Sequence, residues 1–223
     1  MHDKGENVMS TEILENLKNA VAEYDVEGAQ NWTKKAIEAG IDPVDAADGI
    51  TEVLKQIGDG FSRGDLFLPD LVGGAAAMQA VMPMIQEEIE RRGAKRRSLG
   101  TIAIGTVYGD IHDIGKTLVS ALLAAAGFEV IDLGINVGVD EFVAAVEQHR
   151  PSILAMSALM TTTASEQRRV LETLEREGLR DGVRVMVGGG GITKEFAARI
   201  GADGYGSTAP EAVKLAKQLL SIE

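Results

Sequence analysis

Between residues 10 and 92, apolar positions recur every three to four residues, the spacing that gathers them on one stripe of an α-helix. Ile13, Leu14, Leu17, Ala20, Val21 and Tyr24 form a first stripe, with Ser10-Thr11 reading as its start. Val26, Ala29, Trp32, Ala36 and Ile37 form a second, stopped by Gly40. A third begins at Asp42 as cap, with Pro43 in its first turn, and carries Val44, Ala47, Ile50, Val53, Leu54, Ile57 and Phe61. Ser62-Arg63-Gly64-Asp65 breaks that period. A fourth helix runs from near Pro69 towards Arg92, with a kink expected at Pro83. Met78, Met82 and Met84 lie on it and read as core filling, as does Trp32 on the second helix. Four amphipathic helices with short connections predict an all-α four-helix bundle.

After Leu99 the pattern changes to short apolar runs alternating with helices. Candidate strands are Thr101–Val107, Phe128–Leu133, Ile153–Ser157, Val183–Val187 and Gly204–Tyr205. Helices are expected over 115–126, 139–149, 163–177, 193–200 and 209–221. Runs such as TIAIGTV and ILAMS are apolar on both faces, as in a parallel sheet covered by helices. Repeated βα units predict a doubly wound α/β domain with a five-stranded parallel sheet. The expected division is a helical domain over 1–92, a linker over 93–100 and the α/β domain over 101–223. Arg91, Arg92, Lys95, Arg96 and Arg97 cluster at the linker, read as a solvated hinge or as a dock for an acidic partner.

Composition narrows the function. The 34 Asp and Glu outnumber the 22 Lys and Arg, for a net charge of −12. Such a chain is repelled by nucleic acid and by anionic membranes, so neither is expected as a partner. No apolar run is read as long enough to span a bilayer, and MHDKGENVMS has no apolar signal core, so a cytoplasmic location is expected. There is no Cys, which removes disulfides, thiolate metal sites and Cys nucleophiles.

In doubly wound sheets, ligands sit beyond the carboxyl ends of the strands. The loops after the first, third, fourth and fifth candidate strands carry Tyr108-Gly109-Asp110-Ile111-His112-Asp113-Ile114-Gly115-Lys116, Ser157-Ala158-Leu159-Met160-Thr161-Thr162-Thr163, four glycines from Gly188 to Gly191, and Tyr205-Gly206-Ser207-Thr208. A lone loop histidine is commonly a surface residue. Asp110, two residues before His112, changes that reading: a carboxylate on one imidazole nitrogen frees the other for a metal. One His does not hold a metal ion tightly alone. An Asp110–His112–Asp113 site for a hard divalent ion is one alternative; a metal arriving inside a macrocycle, needing only an axial ligand, fits better. No GxGxxG stretch is present and no Walker-type lysine motif, so nucleotide fingerprints fail. The glycine run reads either as a flexible turn or as a slot for a long ligand tail.

Asp110-x-His112-x-x-Gly115, Ser157-x-Leu159 and Gly188-Gly189, each at a strand's carboxyl end, resemble the three-part signature of cobalamin-binding domains of the base-off, His-on type. The stretch from Gly60 to Pro69, GFSRGDLFLP, is similar to the helical cap module of methionine synthase and of corrinoid proteins of methyltransferase systems. With no catalytic barrel in the chain, it resembles the stand-alone corrinoid protein of such systems. The resemblance implies a Rossmann-like fold preceded by a cap domain. The implied cofactor is cobalamin or a related corrinoid, cycling between methylcobalamin and cob(I)alamin.

It implies His112 as the lower axial ligand to cobalt, displacing the cofactor's own base. Asp110 would hold His112, and Thr163 would complete the relay where methionine synthase has Ser. Ser157 and Thr161 would contact the displaced base or its pocket. Gly188 and Gly189 would let the tail pass, with Tyr205 and Gly206 at the far end. Ile111, Asp113, Ile114, Gly115, Leu159 and Gly190 complete the expected cofactor-binding set. Phe61 and Leu68 would cover the upper face of the corrin. The aspartate usual after the fifth strand is replaced by Ser207-Thr208-Ala209. The implied activity is methyl carriage, without complete catalysis by this chain alone. The implied partners are a substrate-specific methyltransferase, an acceptor methyltransferase using tetrahydrofolate or a thiol coenzyme, and a reductive activator. The implied donors are a methylamine, a quaternary amine, methanol or an aryl methyl ether. Alternatives are a module of a corrinoid mutase, a corrinoid-dependent sensor, and a phospho-receiver; the last needs Asp where Ser157 stands.

Overall fold

The computed structural model describes residues 3–93 and 98–222. His2 and the linker residues Lys95, Arg96 and Arg97 lie outside the described residues. The chain divides into two compact units, one built on the N-terminal helices and one on the sheet.

The first unit holds α1 (Asp3–Ala22), α2 (Val26–Glu38), α3 (Pro43–Arg63) and α4 (Leu68–Arg91). They pack in a ring in which α1 meets α2, α2 meets α4, α4 meets α3 and α3 meets α1. Leu17, Val21, Ile50, Leu54, Leu71 and Ile85 fill its centre. Local chemistry sets the ends. The Asp42 carboxylate accepts from Val44 N at 2.9 Å to start α3. Gly64, at φ 82°, ends it in the left-handed conformation that glycine adopts without strain. Asp70 turns back to accept from Phe67 N at 2.7 Å at the head of α4.

Two expectations change here. Helix α1 begins at Asp3, so Ser10 and Thr11 lie inside it; both residues favour caps but are only mildly unfavourable within a helix. Helix α4 carries Pro83 within its span, as the sequence places it. By length and hydropathy α4 also meets the limits for crossing a membrane. Its apolar side chains have another use, since Leu71, Met78, Val81, Ile85 and Ile89 are buried in the bundle. Met78 is thus core, and Trp32 packs half-buried beside Ile13, Ala36 and Ile41.

The second unit alternates β1 (Thr101–Thr106), α5 (Ile114–Ala125), β2 (Glu129–Asp132), α6 (Val139–His149), β3 (Ile153–Ser157), α7 (Ala164–Arg176), β4 (Arg184–Gly188), α8 (Lys194–Arg199), β5 (Gly204–Gly206) and α9 (Ala209–Leu219). The sheet is parallel throughout, in the order β2-β1-β3-β4-β5. The doubly wound expectation therefore holds. Val107 falls just outside β1, in an isolated bridge to Val137.

Successive side chains of a strand point to opposite faces. Ala103, Leu154 and Val185 join Phe142, Leu171 and Leu174 in a dense core. The alternate residues Ile104, Ala155 and Met186 face a cavity bordered by α5 and α9. At the carboxyl end, Thr106, Ser157, Gly188 and Gly206 stand side by side on one rung across four strands.

Candidate functional site

The site is built on the turn after β1. Gly109, at φ +76°, takes a left-handed bend and donates its N–H to Asn136 Oδ1 at 2.8 Å. Asn136 is itself left-handed at φ 55° and donates its own N–H to the Asp110 carbonyl at 3.1 Å. This bend drives the Asp110 side chain inward, where its exposure is 0%.

Five donors meet the buried carboxylate. Oδ1 accepts from His112 N at 3.1 Å and from His112 Nδ1 at 2.6 Å. Oδ2 accepts from Leu159 N at 2.9 Å, Met160 N at 3.3 Å and Thr163 Oγ1 at 2.7 Å. Burial alone pushes the carboxyl's pKa up; the hydrogen bonds from the His112 ring, Thr163 and the two backbone amides outweigh it and hold the group well below the usual carboxylate range.

A carboxylate only accepts, so Nδ1 of His112 carries a proton, and in the neutral ring Nε2 is the nitrogen with the lone pair. Nε2 has no hydrogen-bond partner among the described residues, and the ring is 48% exposed. Thr106 Oγ1 donates to the His112 carbonyl at 3.2 Å and ties the residue to the end of β1. Hydrogen bonds thus link His112, Asp110 and Thr163, the three residues that the resemblance groups together.

Asp113 does not join them. Its Oδ1 lies 3.0 Å from Lys116 Nζ, and among the described residues no group of three His, Cys, Asp or Glu side chains is placed to hold a metal ion. The alternative of a hard-ion site at Asp110, His112 and Asp113 is therefore corrected: Asp110 is spent on five donors and Asp113 on an ammonium.

Large apolar side chains stand exposed on the same edge: Tyr108, Ile111 and Ile114 around the histidine, Ile135 after β2, and Leu159 and Met160 after β3. Isolated exposed apolar residues are ordinary, but a set from three converging loops marks a surface shaped for an apolar partner or ligand. One imidazole nitrogen aimed outward among them suits a flat macrocycle bearing a metal.

The cavity of about 310 Å³ opens on this edge. Its walls include Ser157, Gly188, Gly189, Gly190, Tyr205 and Gly206, all expected as site residues; Gly115, also expected, lines it from the head of α5. Thr161 is exposed in the turn after β3 and is not among the lining residues. Phe61 and Leu68 lie in the helical unit, both half-buried, at the end of α3 and the first position of α4.

The glycines do two jobs. A Cβ on Gly188 would meet Gly206 O at 2.8 Å, where β4 and β5 run along the cavity. Gly189, at φ +111°, would put a Cβ 2.1 Å from Ala158 O. The run is thus demanded by the close approach of the β3 and β4 loops as well as by the space beside them.

Sequence reasoning missed the loop after β2. Asn136 holds the Gly109–Asp110 bend, and Asp132 bonds Lys116 Nζ at 2.7 and 2.5 Å. The available signal was an asparagine beside glycines in GINVG, a residue type that tolerates the left-handed region. Ser207 and Thr208, noted only as replacing an aspartate, line the cavity; Ser207 donates to Glu211, and Thr208 caps α9.

Residues 13–86 and 100–214 each match a family model described as a B12 binding domain. The trimethylamine corrinoid protein of Methanosarcina barkeri is 43% identical over 212 residues, covering 95% of this chain and 98% of that protein. Dimethylamine corrinoid protein 2 of Methanosarcina acetivorans is 40% identical, with coverage of 94% and 96%. Among solved structures, the methanol:cobalamin methyltransferase complex MtaBC of Methanosarcina barkeri contains a similar chain. It is 32% identical with a TM-score of 0.78, covering 94% of this chain and 80% of that one.

Proposed function

The chain belongs to the corrinoid proteins of methyltransferase systems, and from that premise we propose that it shuttles a methyl group on cobalt between a substrate-specific methyltransferase and an acceptor methyltransferase. It binds cobalamin or a related corrinoid. The observation that carries the reading is the His112 ring, held through Nδ1 by buried Asp110 with Nε2 left open.

The bound corrinoid supplies a cobalt centre able to accept a methyl group and give it up again. His112 Nε2 would hold the cobalt. Asp110 fixes its tautomer and orientation, and the Thr163 hydroxyl steadies that carboxylate. Ile111, Ile114, Leu159 and the exposed apolar side chains beside them would pack against the corrin and keep water from it. The cavity lined by Gly115, Ser157, Gly188, Gly189, Gly190, Tyr205 and Gly206 would take the cofactor's tail, and Thr161, exposed in the turn after β3, would contact the displaced base. Phe61 and Leu68, in the helical domain over 1–92, would contact the corrin in the loaded protein; a linker over 93–100 separates that domain from the binding domain from 101.

Donor and partners are proposed from the relatives. Identity to trimethylamine and dimethylamine corrinoid proteins reaches 43% and 40%, against 32% for the chain of the methanol complex, which favours a methylamine donor. The donor-side methyltransferase, an acceptor methyltransferase using tetrahydrofolate or a thiol coenzyme, and a reductive activator complete the system, in the cytoplasm.

Reconstitution with hydroxocobalamin tests the reading. The protein is expected to turn coloured and to hold the cofactor with its own base off the metal. His112→Ala is expected to change the visible spectrum and weaken binding. An unchanged spectrum together with unchanged affinity removes His112 from the site. Methyl transfer from trimethylamine, with its cognate methyltransferase, separates the amine donor from methanol.

A further inference from the structure

Lys116 lies in the first turn of α5, and its side chain is 2% exposed. Its Nζ reaches both carboxylate oxygens of Asp132 and Oδ1 of Asp113. Asp132 Oδ1 also accepts from Gly134 N at 2.8 Å. Buried ion pairs are a poor route to stability, because desolvation offsets the attraction and an apolar side chain often serves as well. Leu118, Val119 and Met186 already line the same cavity. An ammonium among them calls for another reason.

The positions of its partners supply one. Asp113 directly follows His112. Asp132 opens the loop after β2, and that loop also carries Asn136, which holds Gly109 and Asp110. The loop bearing the histidine is thus gripped before the ring by Asn136, at the ring by Asp110 and Thr106, and after the ring by Lys116. Asp110 holds the imidazole through Nδ1. Lys116 holds the carboxylate of the very next residue.

We infer that Lys116, through Asp113 and Asp132, is a positioning residue that sets the reach of His112 Nε2 towards cobalt. The inference rests on the proposed ligation by His112. The test uses full-length protein carrying histidine labelled with heavy nitrogen, loaded with hydroxocobalamin and reduced to cobalt(II). Electron paramagnetic resonance then distinguishes cobalt bound by the protein's imidazole from cobalt bound by the cofactor's own base or by neither.

Lys116→Met and Asp113→Asn are each expected to lower the ratio of His-bound to His-free cobalt about 10-fold, the scale on which outer partners tune a metal ligand. Lys116→Arg is expected to recover most of that loss. Unchanged ratios in both variants, with only the melting temperature lowered, overturn the inference and leave the ion pair structural. Should Lys116→Met not fold, Asp113→Asn decides alone, since that carboxylate is 51% exposed. A wild-type spectrum without the labelled splitting is a different failure: it removes the ligation by His112, and this inference with it.

Discussion

Asp110 and Asp203 stand at opposite ends of the same sheet, and each is held by several donors. At the amino end, Asp203 takes Arg180 at 2.7 Å, Arg184 at 3.4 Å and Val185 N at 2.7 Å. Arg180 goes on to the carbonyls of Val183 and Gly201. The negative charge is met on the spot by guanidinium groups, and a corner of the fold is closed. At the carboxyl end, Asp110 meets amides, a hydroxyl and an imidazole, and no Lys or Arg among the described residues. Its charge is left for the ring to feel. The same side chain thus serves as a clasp where its partners are charged and as a tuning device where they are neutral.

The largest effect that tests this contrast is expected from Asp110→Ala. It leaves His112 N, Leu159 N and Met160 N without their acceptor, at roughly 3–5 kcal/mol in urea unfolding of the apo protein. A loss below about 1 kcal/mol breaks the contrast. The same carboxylate predicts a pH limb. Its folded pKa is depressed, so its contribution to stability is complete above the value near 3.9 of an unfolded aspartate and drains away as pH falls below it. Acid denaturation of Asp110→Asn should lack that part of the wild-type loss.

Next in size, Arg180→Ala is expected to cost about 1–3 kcal/mol while leaving the spectrum of the loaded protein untouched. A spectral change would mean that the two ends are not separable. Smallest is Thr163→Val, at about 1 kcal/mol for one lost hydroxyl. Thr163→Ser keeps the donor and should stay near wild type in both stability and spectrum.

Much of this was legible in the chain. The change of period after Leu99 separates bundle from sheet because burial on one stripe and burial on two faces leave different repeats. Asp110 and His112 were legible through their motif, and Thr163 only through the family resemblance. Asn136 and Asp132 were not: their partners Gly109 and Lys116 are distant in sequence, and only the pairing of β1 with β2 brings them together. The glycine run was half legible, since its openness towards a ligand could be guessed but the pressing of Gly189 on Ala158 needs the third dimension. Helix α4 shows the opposite case, in which hydropathy alone describes a membrane segment and packing explains it as core.

The sheet ends on β5, which is three residues long and contains two glycines. So short a border offers few free amides to a strand from another molecule. Chains crowded together are thereby hindered from stitching into ribbons along that border.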